Sequence, residues 1–69
     1  MAGYTAAHRT LPFKTKVRIT NLTNGNQVEV TIVDRGPFMS SRIIDLSRES
    51  FSQLAPLNRG LCYVRLEVL

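Results

Sequence analysis

The sequence predicts a small, mainly β domain with one short helix. Residues 28–33 alternate between β-branched hydrophobic side chains and a mostly polar set, which is the period-2 pattern of a strand with one buried face. The dipeptide Asn24-Gly25 separates this segment from a second alternating segment, as in a tight hairpin. Helical spacing of apolar residues is confined to one short stretch, residues 51–55. We therefore expect one domain over residues 1–69, with a sheet whose edges a barrel could remove.

The first half of the chain is predicted to form a β-hairpin. Residues 16–22 place Val17 and Ile19 on one face and mainly polar side chains on the other. Residues 27–33 form the second strand, and the Asn-Gly turn tolerates the positive φ values that a tight hairpin requires. Before the hairpin, residues 4–9 show no clear periodicity and are expected to form a short turn or helical corner.

The second half is predicted to contain two strands with the helix between them. Residues 42–46 are almost wholly apolar, which indicates a short strand buried on both faces. Ser47 is expected to cap a helix of two to three turns, with Glu49 in its first turn and Pro56 at its end. Residues 62–69 form the last predicted strand, and the one cysteine of the chain is interpreted as a small buried hydrophobe within it.

Composition excludes several classes of protein. The sequence has no apolar run of about 18 residues, so none of it is predicted to span a membrane. A single cysteine excludes an internal disulfide and a cysteine-based zinc site, and we predict neither a metal nor a cofactor. The net charge of +4 comes from scattered basic residues without interleaved aromatic ones, so a nucleic-acid-binding barrel is supported by charge alone and nucleic acid is not predicted as a partner.

Asp34 is the best candidate for a functional group. It extends the row of Val28, Val30 and Ile32, so its carboxylate is expected at the rim of the core, where the strand leaves the protein interior. A structural interpretation is also open. Asp34 could be the first residue of a type I turn, Asp-Arg-Gly-Pro, in which its side chain accepts backbone N–H groups.

A series of motifs covers nearly the whole chain. In order, the motifs are TAAH at residues 5–8, TLPF at 10–13, VRITNL at 17–22, NG at 24–25, DRGPF at 34–38 and RIIDLS at 42–47. The series resembles the rare lipoprotein A family, which has a double-psi β-barrel fold. The resemblance implies a domain of the bacterial cell envelope, in the periplasm or associated with the outer membrane, that acts on peptidoglycan glycan strands.

The resemblance also implies a chemistry. Characterised members of the family are lytic transglycosylases, which cleave the glycan and form a 1,6-anhydro sugar with the sugar's own 6-hydroxyl. The histidine of TAAH and the aspartate of DRGPF are functional in the family, and they correspond here to His8 and Asp34. Asp34 is expected to act first as acid and then as base, while His8 binds the sugar or tunes that carboxyl group. His8 could instead be an ordinary surface histidine with its hydrogen bonds satisfied.

Four further residues are candidate substrate contacts: Arg35, Phe38, Arg42 and Asp45. The two arginines could hold a hydroxyl or a carboxylate, and Phe38 could stack on a sugar or pack on the barrel rim. Asp45 is interpreted mainly as a structural residue that helps to cap the helix or pairs with an arginine.

Two departures from the family pattern bear on function. Lys14 stands where the family commonly has glycine, and the chain begins only a few residues before His8, where the family usually carries a further strand and an acidic residue implicated in activity. We therefore expect a barrel without the usual first strand, and an open sheet edge that a second copy could cap. The alternative function, favoured by that difference, is a glycan-binding barrel without catalysis.

Overall fold

The fold of residues 3–69, described from a computed structural model, is a curled five-stranded sheet with one short helix. The strands are β1 (Thr5–Ala7), β2 (Lys16–Asn21), β3 (Gln27–Asp34), β4 (Asp45–Leu46) and β5 (Val64–Val68), and α1 (Arg48–Ser52) and a 3₁₀ turn (Leu57–Arg59) lie between β4 and β5. Their order across the sheet is β4-β1-β3-β2-β5. β1 runs parallel to β3, and the other neighbouring strands are antiparallel. The predicted mainly β class with one helix is confirmed.

The β2–β3 hairpin forms as predicted. Val17 pairs with Val30 and Ile19 with Val28, so the apolar residues of both strands lie on one face. Gly25 has a φ of +80°, the conformation for which the Asn-Gly pair is suited. β2 ends one residue earlier than predicted.

The core lies on the concave face of this curled sheet. Its buried members are Ala6, Val17, Ile19, Val28, Val30, Ile32 and Leu54. Each isoleucine removed from water in this way contributes about 2–3 kcal/mol to folding. Because most of these residues come from β2 and β3, the hairpin is the main support for the strands that flank it.

Three asparagine side chains fasten the hairpin turn to the segment after α1. The side-chain amides of Asn24, Asn21 and Asn26 donate to the Leu54 carbonyl at 2.9, 3.0 and 3.4 Å. Leu54 follows the C-cap of α1 and is buried, so these amides supply the hydrogen bonds that its carbonyl needs away from water.

The prediction for residues 4–9 was wrong, because Thr5–Ala7 forms a strand. Ala6 pairs with Ile32 on one side and with Leu46 on the other. Alanine by itself favours helix, so this strand is set by its two neighbours and not by its own sequence.

Three predicted elements are shorter than expected. Only Asp45–Leu46 of residues 42–46 is strand, and Ile43 is 48% exposed, so this segment is not buried on both faces. Ser47 caps α1 as predicted, accepting the Ser50 N–H at 3.1 Å, but the helix has five residues and ends before Pro56. The last strand begins two residues late, and Cys62 lies before it and is half-buried.

Candidate functional site

Asp34 lies at the end of β3, where the pairing with β1 slips by one residue. Ala6 pairs with Ile32, but the next residue of β1, Ala7, pairs with Asp34, so Val33 is an extra residue on β3. Such a bulge bends a strand and redirects its side chains. The carboxylate is therefore at the strand end, as predicted, but it is exposed and does not continue the buried row. Its Oδ1 accepts the backbone N–H of Arg35 at 2.8 Å.

Two acidic residues flank Ala7 in the sheet. Ala7 pairs with Asp34 on β3 and with Asp45 on β4. Residues paired across neighbouring strands project from the same face, so both carboxylates belong to the face opposite the one on which Ala6 enters the core. The small alanine between them leaves space above the sheet.

The loop after Asp34 folds over this space. Gly36 has a φ of +131°, which glycine adopts far more readily than other residues. A methyl group built on Gly36 would lie 3.7 Å from Asp45 Oδ2 and 3.9 Å from Ala7 Cβ, so the loop backbone passes close to both residues. Phe38 follows and is 86% exposed, which contradicts packing on the barrel rim. A ring exposed to this extent offers an apolar face to a ligand.

His8 is held next to Asp34 by the backbone and by its own side chain. Its N–H donates to the Asp34 carbonyl at 3.1 Å, which continues the β1–β3 pairing. Its Nδ1 accepts the N–H groups of Thr10 and Leu11, both at 3.1 Å. The neutral ring therefore carries its hydrogen on Nε2, which makes no hydrogen bond within residues 3–69. Nε2 is the nitrogen available to a ligand.

Arg9 ties the His8 loop to the loop after Asp34. Its Nε donates to the Pro37 carbonyl at 2.7 Å, and its Nη2 donates to the carbonyls of Arg42, at 2.6 Å, and Met39. No sequence motif pointed to a role for Arg9. A signal was present, because residues 35–42 contain breaker residues whose carbonyls need donors from outside regular structure.

Arg35 makes the reciprocal connection. Its Nη1 donates to the carbonyls of Leu11, at 2.7 Å, and His8, at 3.3 Å, and its guanidinium carbon lies 4.2 Å from the centre of the Phe13 ring. Each loop thus sends one arginine to the carbonyls of the other, and we call Arg9 and Arg35 the arginine clasp. In the structure the Arg35 guanidinium holds the His8 loop, and a contact of Arg35 with substrate stays a prediction.

The two remaining candidates pair with each other. Arg42 Nη2 donates to Asp45 Oδ1, and both side chains are about one-third exposed. This agrees with the interpretation of Asp45 as the partner of an arginine. In residues 3–69 Asp34 makes no ion pair, so it is the carboxylate of this site whose charge no protein cation neutralises directly.

Known proteins resemble this chain over nearly its full length. The model of the lytic transglycolase family matches residues 1–66. The chain belongs to this family. It is a rare lipoprotein A-like double-psi β-barrel domain, as the motif series indicated.

Three curated relatives illustrate the likeness. The endolytic peptidoglycan transglycosylase RlpA of Campylobacter jejuni is 52% identical over 65 residues, which are 94% of this chain and 24% of that protein. A probable endolytic peptidoglycan transglycosylase RlpA of Nostoc is 54% identical over 94% of this chain and 18% of its own length. The Neisseria meningitidis serogroup A protein named endolytic peptidoglycan transglycosylase RlpA is 46% identical over 67 residues, which are 97% of this chain and 28% of that protein. The chain spans about a quarter of the length of these relatives.

A groove of about 1040 Å³ lies away from Asp34, between residues 41–46, α1 and residues 60–64. Arg42 is the one candidate residue that lines it. Its described lining contains arginines, apolar and uncharged polar side chains, Cys62 and Tyr63, but neither carboxylate nor histidine. Neither Asp34 nor His8 lines this groove. Residues 3–69 also contain no cluster of histidine, cysteine and acidic residues suited to a metal ion.

Proposed function

We propose that this domain cleaves peptidoglycan glycan strands as a lytic transglycosylase, with Asp34 as its acid and base. The observation that carries the proposal is the exposed carboxylate of Asp34, free of ion pairs within residues 3–69 and joined through its backbone to His8. Membership of the lytic transglycolase family supports it, as do relatives named endolytic peptidoglycan transglycosylases.

One carboxyl group is sufficient for this reaction. In the first step Asp34 gives its proton to the glycosidic oxygen as the bond to the anomeric carbon breaks and oxocarbenium character develops. In the second step the ionised Asp34 takes the proton of the sugar's 6-hydroxyl as that oxygen bonds to the anomeric carbon. Asp34 ends the cycle protonated, as it began, and no water is consumed.

The geometry of the neighbouring side chains supports a proposed role for each. His8 Nε2 donates a hydrogen bond to a sugar hydroxyl, because Nδ1 is occupied by two backbone N–H groups. Phe38 stacks on a sugar face, since its ring is 86% exposed. The ion pair between Arg42 and Asp45 borders the loop after Asp34 and bounds the site on the β4 side.

A glycan-binding module without catalysis is the second candidate. The exposure of Phe38 favours it, because stacking on a sugar requires no acid. The two candidates use the same surface and differ in whether a glycosidic bond is cleaved.

The proposal extends to location and partners. We place the domain in the periplasm or at the outer membrane, where peptidoglycan is accessible, and we do not assign nucleic acid as a partner. No helix within residues 3–69 has the length and hydrophobicity needed to cross a bilayer. A second copy of the chain, joined through an open sheet edge, is a further proposed partner.

Digestion of defined peptidoglycan tests the proposed function. The protein is incubated with intact sacculi and with glycan strands stripped of stem peptides by an amidase, and soluble products are identified by mass spectrometry. We expect fragments with 1,6-anhydro ends. Co-sedimentation with glycan without such products would establish the binding module instead. Salt-sensitive binding to random oligonucleotides with no affinity for glycan would contradict both.

A further inference from the structure

Phe13 is an exposed aromatic residue at the same end of the sheet as Asp34. The residues that follow it pair with β3, because the Lys14 N–H donates to the Ile32 carbonyl at 2.7 Å and the Ile32 N–H donates to the Thr15 carbonyl at 2.9 Å. Asp34 comes two residues after Ile32 and ends that strand. Phe13 therefore lies beside the end of β3, and 53% of its surface is exposed.

Phe13 and Phe38 lie on opposite sides of Asp34. In the sheet order β4-β1-β3-β2, Asp34 ends β3, and Phe13 belongs to the segment that leads into β2. A methyl group built on Gly36 would lie 3.6 Å from the Phe38 ring and 3.7 Å from the Asp45 carboxylate, so Phe38 lies on the β4 side. The proposed acid is thus flanked by two exposed rings.

The Arg35 side chain connects Asp34 to the Phe13 ring. Its guanidinium carbon lies 4.2 Å from the centre of the ring and so covers one face of it. Nη1 is held by the carbonyls of Leu11 and His8, whereas Nε and Nη2 make no hydrogen bond within residues 3–69. The guanidinium is therefore fixed through one nitrogen and has free N–H groups on the other two, beside the exposed part of the ring.

We propose that Phe13 and Arg35 form a second sugar-binding subsite, which we call the Phe13 subsite. The inference rests on the proposed function and deepens it. The apolar C–H groups of an N-acetylated sugar pack on the exposed part of the Phe13 ring, and Arg35 Nε and Nη2 donate to its hydroxyl or acetamido oxygens. With another sugar on Phe38, the strand crosses Asp34, and the bond that is cleaved lies between the two sugars.

A purely structural role explains less of these surroundings. Contact with the Arg35 cation uses one face of the Phe13 ring and does not require the rest of the ring to be exposed. Apolar surface stabilises a fold when it is removed from water, and more than half of Phe13 is not. An accessible aromatic surface with a few fixed polar groups beside it is typical of ligand sites.

Fluorescence tests the contact directly, because the chain contains no tryptophan. Phe13→Trp is combined with Asp34→Asn, whose side-chain oxygen can still accept the Arg35 N–H, so that glycan binds without being cleaved. Titration with amidase-stripped glycan strands should shift the emission to shorter wavelength as a sugar covers the ring. Tyr63→Trp with Asp34→Asn is the matched control. Tyr63 is 82% exposed and lies at the opposite end of β2, so its replacement should show no shift.

Affinity and kinetics separate sugar binding from a structural role. Phe13→Leu keeps an apolar side chain under Arg35 but loses the flat ring, so glycan affinity in co-sedimentation should fall about tenfold. In the digestion its KM should rise by a similar factor, with kcat within about twofold of the parent, because the contact is present before and during bond cleavage. Phe13→Tyr keeps the ring and should bind like the parent. Circular dichroism establishes that each variant is folded.

Each of three results would overturn the Phe13 subsite. They are an unchanged emission of Phe13→Trp at glycan concentrations that co-sediment the protein, an affinity of Phe13→Leu equal to the parent's, and a lower kcat of Phe13→Leu at unchanged KM. The last would mean that Phe13 acts only by positioning Arg35 and the His8 loop. In all three cases release of anhydro products by the parent would leave the proposed function intact. A parent that neither binds nor cleaves glycan would contradict both.

Discussion

The two ring nitrogens of His8 have different surroundings, which separates a structural role from a role in ligand binding. Nδ1 accepts two backbone N–H groups and so holds the turn after β1. Nε2 has no partner within residues 3–69 and is the atom that the proposed mechanism directs at the sugar. A substitution that preserves one nitrogen's role and removes the other's can distinguish them.

His8→Asn is that substitution. An asparagine carbonyl oxygen can accept the N–H two residues ahead, so we expect the free energy of unfolding to stay within about 0.5 kcal/mol of the parent. Release of anhydro products should fall at least about tenfold, because the Nε2 donor is lost. His8→Ala should lose both stability and activity. Full activity of His8→Asn in the digestion would show that His8 acts only through its turn.

Cys62 is a second residue whose surroundings make a testable prediction. Partial burial raises the pKa of the Cys62 thiol, and the positive charge of Arg59 opposes that rise. Only the thiolate reacts with iodoacetamide. Arg59→Gln removes the opposing charge, so the thiol pKa should rise further and alkylation at pH 8 should slow. Arg48→Gln is the control, and an unchanged or faster reaction of Arg59→Gln would contradict the account.

At the scale of elements, the turn before β2 contains a residue in an unfavourable conformation. Lys14 has a φ of +73°, although it is not glycine, while its N–H donates to the Ile32 carbonyl at 2.7 Å. The left-handed conformation costs a residue with a Cβ about 1–2 kcal/mol. The position therefore gives a physical reason for the glycine that the family commonly has there.

Lys14→Gly should stabilise the domain. Glycine relieves the strain but gains freedom in the unfolded chain, so we expect a net increase of about 0.5–1 kcal/mol in the free energy of unfolding. Urea denaturation measures it as a higher midpoint. Lys16→Gly, within β2, should lower the midpoint, because glycine weakens a strand. A lower midpoint for Lys14→Gly would show that the turn gains nothing from glycine.

The arginine clasp should control the loop that covers Ala7. Lysine cannot reproduce the three contacts of Arg9, so Arg9→Lys is expected to free residues 37–42. The Arg42 N–H, which donates to the Met39 carbonyl at 3.2 Å, reports on this loop. Its hydrogen exchange should accelerate about tenfold, a change of about 1.4 kcal/mol in loop opening, while exchange at Ile32 stays the same.

Arg48→Lys, on the exposed surface of α1, is the control for this measurement. Equal exchange at the Arg42 amide in the two variants would mean that the clasp does not order the loop.

The elements that could be predicted from sequence are those with local signals. The hairpin has its own alternation and its own turn, and Ser47 is a cap by its chemistry. β1 has no such signal, since Ala6 and Ala7 become strand only because β3 and β4 pair with them. The carbonyls of Met39 and Arg42 accept hydrogen bonds from Arg9, and regular strand pairing begins only at Asp45. The apolar run before β4 therefore suggested a longer strand than the structure has.

At the scale of the whole molecule, the site depends on topology that no local pattern encodes. β1 lies between β3 and β4, and this insertion brings the TAAH, DRGPF and RIIDLS motifs together around Ala7. The resemblance supplied His8 and Asp34 as candidates, but it did not show the bulge that exposes Asp34. It also did not reveal Arg9, whose partners are backbone carbonyls distant in the sequence.

The central claim is that Asp34 is the acid of a glycan-cleaving site, and one digestion tests it most directly. Stripped glycan strands are incubated with the parent, with Asp34→Asn, and with Glu29→Gln, which removes an exposed carboxylate from the same strand. The account predicts 1,6-anhydro ends from the parent and from Glu29→Gln, and a loss of about a hundredfold or more in Asp34→Asn. Asp34→Asn releasing products at the parent's rate would contradict the claim.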